Sequence, residues 1–209
     1  MPARLPGFTV PYAKVEAALA RMHNIAQEDV PAFRSRLGSL QRGGLLGAEN
    51  QPGKGQKLQY GPDHFHRLML ALELAQAGIG PAVILRLVKE YWNSKLNGIF
   101  DKAEHAIVHP APGNANDVVL MLRIDLMFET NWPPSINYVS RDKLAQCIEL
   151  VFGDDRLPAR LLLVNLSAQL RKFHEALSHY HLQPDQLVEE ALAPKPKTRK
   201  RRVARNEVL

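Results

Sequence analysis

The chain is short of cysteine, of long apolar runs and of catalytic signatures, and each shortage closes off a class of protein. Its single cysteine, Cys147, excludes an internal disulfide and any zinc or iron–sulfur site built on several thiolates. The longest apolar runs, such as Val118–Leu122 and Leu161–Val164, fall far below the roughly 20 residues of a membrane-spanning helix. Residues 1–14, MPARLPGFTVPYAK, lack the unbroken apolar core of a secretory signal, so a cytoplasmic location without membrane attachment is expected. No Gly-rich phosphate loop, no His-Glu-x-x-His and no Gly-x-Ser-x-Gly occurs. Gly53-Lys54-Gly55 is too short for a phosphate loop and has no strand before it, and Cys147 sits among Leu144, Ile148 and Val151 as a packing residue would. The expectation is a protein that is not an enzyme and needs no cofactor.

What the chain does contain is ordinary in amount and uneven in placement. Of its 209 residues 45% are hydrophobic and 23% charged, as in a globular protein with a self-sufficient core. The formal charge of +6 is concentrated at one end. Over residues 194–209, Lys195, Lys197, Arg199, Lys200, Arg201, Arg202 and Arg205 are opposed only by Glu207, and without that segment the chain is neutral. Too few apolar groups accompany this charge for folding, so residues 193–209 read as a disordered basic tail. Within the neutral body, residues 30–60 hold Arg34, Arg36, Arg42, Lys54 and Lys57 against Glu49 alone.

The hydrophobic periodicity divides the chain. Val15, Ala18, Leu19 and Met22 predict a helix over 11–23. Asp29 and Pro31 open a second helix, carrying Phe33, Leu37 and Leu40, that ends at Gly43-Gly44. Residues 47–60 suit an exposed loop or short hairpin. Asp63 is placed to cap a third helix, with Phe65, Leu68, Met69, Leu72 and Leu74, that stops at Gly78, and Pro81 opens a fourth. Beyond it, residues 104–109 and 117–128 read as strands, as do Ser135–Val139 and 160–166. Helices are expected over 141–152, capped by Ser140, and from Ser167 to about His181. The fold class predicted is α+β, with a helical unit over 1–97 and a smaller α+β unit over 103–192.

The second helix carries the chemistry. With Phe33, Leu37 and Leu40 turned inward, Ser35, Gly38, Ser39 and Arg42 face out, with Arg34 at the border. Small residues let a helix lie close to a groove, and arginines beside them reach phosphates or guanine edges. Lys54 and Lys57 in the next loop are placed to grip a neighbouring phosphate strand. An ordinary solvated helix and loop would also present such a face. The segment from Phe33 to Val88 resembles the DNA-binding domain of the MerR-type regulators. The resemblance is carried by Gln41-Arg42-Gly43-Gly44-Leu45-Leu46, a wing over Gly47–Gln59, the closing aromatic Tyr60, then Asp63, Leu68, Leu72 and Gly78-Ile79. It covers residues of about 30–90 only, and the C-terminal half does not match the family. It implies a winged helix-turn-helix, double-stranded DNA as partner and action as a dimer, with Arg34, Ser35, Arg36, Ser39, Arg42, Lys54, Lys57 and Tyr60 as the contact set.

In the second half, Val118, Leu120 and Leu122 fall on one strand face and Val119 and Met121 on the other, so both sides must be covered, by helices or by a partner subunit. A homodimerisation domain is the first reading, and a site for a small-molecule effector the second. Arg123 and Asp125 read as an internal pair. His174 and His181 stand two helical turns apart, too far to share one ion, and His64 and His66 point to different sides, so no metal site is expected. The tail residues Lys197, Arg199, Lys200, Arg201 and Arg202 offer charge without aromatic stacking, suited to non-specific DNA contact or to solubility alone.

Together these features predict a sequence-specific transcriptional regulator, nucleoid-associated and dimeric on promoter DNA. An architectural protein coating DNA, and a protein–protein adaptor with a winged-helix fold, are the alternatives.

Overall fold

The computed structural model describes residues 10–47, 59–123, 135–153 and 161–179. Lys54, Lys57, Asp125, His181 and the basic tail lie outside them. The chain enters through Val10–Pro11 (β1) and continues into Tyr12–Met22 (α1), a single turn over Gln27–Asp29, and Val30–Arg42 (α2). Gln59–Tyr60 (β2) returns to pair antiparallel with β1, Val10 opposite Tyr60. Two further helices follow, Pro62–Gln76 (α3) and Pro81–Tyr91 (α4), each with a proline in its first turn where a missing N–H costs nothing.

Three of these helices stop by the same device. Asn24, Gly44 and Gly78 take left-handed conformations after α1, α2 and α3. The apolar residue that follows each one then donates its N–H back into the last turn: Ile25 to the Ala20 carbonyl, Leu45 to Leu40 and Ile79 to Leu74, at 2.9, 3.2 and 3.0 Å. The predicted helix starts fare less well. Asp29 makes no side-chain cap. Asp63 is displaced from the cap of α3 by Gly61, whose N–H donates to Nδ1 of His64 at 3.0 Å.

A π turn over Trp92–Leu96 leads from α4 into Asn97–Val108 (α5). The strand expected over 104–109 is therefore the last part of a helix. Ile99, Phe100, Ala103 and Ala106 recur at helical spacing and are all buried, and this longer period outweighs the local alternation. Val118–Arg123 (β3), Ile136–Ser140 (β4), Leu144–Phe152 (α6), Leu161–Asn165 (β5) and Leu166–His179 (α7) complete the described chain. The three strands form an antiparallel sheet in the order β4–β3–β5, with Leu120 opposite Tyr138 on one side and Val164 on the other. The architecture is mixed α+β.

Strand β3 is covered on both faces by helices of its own chain. Val118, Leu120 and Leu122 join the main core with residues of α5 and α7, while Val119 and Met121 meet Val139 and the half-buried Leu144, Cys147 and Val151 of α6. The main core runs without a break from Val10 in β1 to Leu177 in α7. A boundary between residues 97 and 103 is thus corrected, because that stretch lies inside α5 and α7 packs along α1. Aromatic rings carry the continuity: Tyr12 to Tyr60, Tyr60 to Phe65 and Phe65 to Phe173, with centroids 5.7, 6.5 and 5.2 Å apart.

Two buried polar joints hold this rear layer. The Ser167 hydroxyl, fully buried, accepts from the Val118 N–H at 2.9 Å and donates to the Ala103 carbonyl, tying α7 to β3 and α5. Asp117, 1% exposed, accepts a two-pronged pair of hydrogen bonds from Arg171. Replacing Ser167 by Ala leaves the Val118 N–H buried without a partner, and we expect a loss of about 1–3 kcal/mol in urea unfolding with an unchanged denaturant slope.

Candidate nucleic-acid interface

The outward face of α2 is built from the residues that its inward face leaves over. Phe33, Leu37 and Leu40 are buried. Ser35, Arg36, Ser39 and Arg42 are exposed, and Gly38 is half-exposed between them. At about 100° of rotation per residue, Ser35, Ser39 and Arg42 share a strip, with Arg34 and Arg36 on its opposite rims. The Arg42 guanidinium folds back along this strip, its Nη1 3.3 Å from where a side chain on Gly38 would begin.

The C-terminal end of α2 is fixed by close approach. A Cβ on Gly43 would stand 2.4 Å from Cδ1 of Leu85 in α4 and 3.2 Å from the Leu40 carbonyl oxygen. Gly44 follows at φ +82°, beneath Lys89 of α4. At the next residue, the Leu45 carbonyl accepts from Nη1 of the buried Arg67 at 3.4 Å, and the Arg67 guanidinium lies 4.9 Å from the ring centroid of Trp92. The helix end is therefore clamped to α3 and α4 through backbone as well as side chains.

Its N-terminal end is fixed by charge. Arg34 donates from Nε to both Glu16 carboxylate oxygens at 2.9 Å, and from Nη2 to one of them at 2.6 Å. The Glu16 side chain is 8% exposed and that of Arg34 61%. The hydrogen bonds to Glu16 hold the guanidinium proton more firmly than usual. The Tyr12 hydroxyl is raised above its ordinary range by burial first and by the Glu16 carboxylate second.

Of the expected contact set, the structure brings Ser35, Arg36, Ser39 and Arg42 to one exposed face and holds Arg34 at its edge against α1. Tyr60 is corrected: it is 1% exposed, wedged among Tyr12, His64 and Phe65, and burial pushes its hydroxyl pKa up. It closes the loop as a core residue and presents nothing to a phosphate. Glu16 was missed by the sequence reading. Its signal is a carboxylate set beside the apolar stripe Val15, Ala18, Leu19, Met22.

A second polar cluster lies behind the head. Glu104 of α5 meets Nε2 of His66 from α3 at 3.0 Å and Nε2 of His174 from α7 at 3.6 Å, and His66 stacks on Phe100 at 4.7 Å. His66 and His174 are thus bound into an internal polar joint. Among the described residues no group of three or more His, Cys, Asp or Glu is placed to hold a metal ion, and no helix is long and apolar enough to cross a membrane.

Burial alone would raise the Glu104 pKa, but the hydrogen bonds and charge of His174 and His66 outweigh it and bring it down to about 2, against an ordinary 4.5. A carboxyl with a depressed folded value contributes stability above its unfolded value and loses it as pH falls through the folded one. We expect wild-type stability to decline between about pH 4.5 and pH 2, and Glu104→Gln to shed part of that slope, measured by urea unfolding across pH. A second expectation concerns Gly38. Gly38→Ala should gain about 0.5–1 kcal/mol of stability, since a mid-helix glycine costs that much, while crowding Arg42 on the outer face; a calorimetric melt checks the sign.

Set against known proteins, the chain matches no family model and no curated sequence.

Proposed function

We propose that the chain is a sequence-specific, DNA-binding transcriptional regulator that acts as a dimer and reads double-stranded DNA with α2. The observation that carries this reading is the outer face of α2, a strip of Ser35, Gly38 and Ser39 with Arg36 and Arg42 exposed upon it. A face without bulk reaches a groove floor, and guanidinium groups at its margins pair with guanine edges or phosphates.

The order of elements supports a winged helix-turn-helix of the MerR type. Two helices meet across a short turn, a strand pair closes the segment between α2 and α3, and two helices follow. In this reading Gly47–Gln59 is the wing, with Lys54 and Lys57 on a phosphate strand, and the tail residues Lys197, Arg199, Lys200, Arg201 and Arg202 add attraction that carries charge and no sequence choice. The rear α+β layer then serves as support for the head and as the dimerising part.

Site selection from a random duplex pool, followed by binding measurements on the selected and a scrambled duplex at several salt concentrations, tests the proposal. Wild type should prefer the selected site. Arg36→Ala or Arg42→Ala should weaken the selected site by about tenfold, with a smaller effect on the scrambled one, as expected when a base is no longer read. Removing residues 194–209 should reduce the salt slope by about 0.9 for each phosphate that the tail neutralises, and leave the preference intact. Uniform, salt-labile binding by wild type would replace this reading with an architectural role, and absence of duplex binding would end it.

A further inference from the structure

We infer that Glu16 is a positioning residue for the α2 interface, holding Arg34 so that its remaining guanidinium edge faces the nucleic-acid backbone. The inference rests on the DNA-binding reading above and adds a residue from outside α2 to it. Glu16 is the fixed member of the pair. Its side chain is 8% exposed, and its carboxylate accepts from both Nε and Nη2 of Arg34. Arg34 commits Nε and Nη2 to that carboxylate, while Nη1 has no hydrogen-bond partner among the described residues. With 61% of its side chain exposed, Arg34 presents that third nitrogen to solvent beside Ser35 and Gly38.

A free arginine samples many rotamers and must be ordered when it binds a phosphate. The planar guanidinium, gripped along one edge, has that ordering done in advance and points its other edge in a single direction. Arg34 and Arg36 then stand on the two rims of the small-residue strip, Arg34 braced by Glu16 and Arg36 exposed. A brace that served only to join α1 to α2 would need no exposed arginine, since a buried carboxylate is equally well paired by a buried one.

The two roles differ in the sign of one substitution. Glu16→Gln keeps the shape of the side chain and an acceptor for Arg34, but removes a negative charge close to the interface. Charge alone therefore tightens DNA binding at every sequence. Positioning predicts the reverse: weakening at the selected duplex by about threefold to tenfold, the cost of ordering one long side chain on binding. Arg34→Ala should weaken it at least as much and lower the salt slope by about 0.9, the share of a single phosphate. The double variant should be no weaker than Arg34→Ala, because Glu16 acts through Arg34.

The full-length chain is used throughout, with melting temperatures recorded for each variant. If Glu16→Gln fails to fold, Arg34→Lys gives the same decision, since it keeps the charge and loses the fork; it should bind the selected duplex several-fold more weakly at an unchanged salt slope. Equal or tighter binding by folded Glu16→Gln, or by Arg34→Lys in its place, overturns the inference while wild-type preference keeps the DNA-binding reading intact. Absence of wild-type binding to any duplex removes both.

Discussion

Helix α7 lies against α1 and α5, and this seating is the contact on which both halves of the chain depend. Leu166, Leu170, Phe173, Ala176 and Leu177 are all buried. A large side chain fully withdrawn from water contributes roughly 1.5–3 kcal/mol, and here those groups come from the far end of the described chain to meet its first helix. Phe173 reaches Phe65 of α3, which in turn touches Tyr60 at the close of the loop after α2. The orientation of α1, and with it the angle at which α2 leaves, is therefore set by packing against a helix more than a hundred residues away in sequence.

Several of the polar groups in this interior join separate elements. Ser167 joins three elements through one hydroxyl, Asp117 is held by Arg171, and Glu104 gathers histidines from α3 and α7. Each joint costs desolvation that its partner must offset, so each tolerates few alternatives in geometry. Apolar packing brings α3, α5 and α7 together, and the joints fix their rotation and register. The same division of labour holds at the head, where Phe33 and Leu37 seat α2 and the Glu16–Arg34 pair fixes its edge.

Local chemistry was readable wherever it decided the outcome. The amphipathic faces of α1 to α4 and the glycine stops at Gly44 and Gly78 lie in the sequence because spacing and left-handed backbone need nothing from afar. The two faces of β3 were readable for the same reason. Four features were not. The stretch 104–109 alternates well enough to read as a strand when seen in a short window, and only the longer spacing from Ile99 shows the helix. The fate of Tyr60 turned on pairing with Val10, some fifty residues earlier. Glu16 and Arg34, 18 residues apart, meet only because α1 and α2 cross as they do. The continuity of the core across residue 97 belongs to the same class, since it arises from long-range packing between α1 and α7.

The outermost layer gives the molecule a graded hardness. No residue of α6 is fully enclosed, and Leu150 and Phe152 remain 69% and 47% exposed, whereas α3 has an unbroken run of buried residues from Phe65 to Leu72. Local opening costs little where few side chains must be returned to water. Amide protons of α6 should therefore exchange with solvent through small fluctuations that leave the rest folded, while those of α3 exchange only when the whole chain comes apart. The molecule thus yields first at the back of its sheet, on the side of β3 turned away from α5 and α7, and last at the helix that anchors α2.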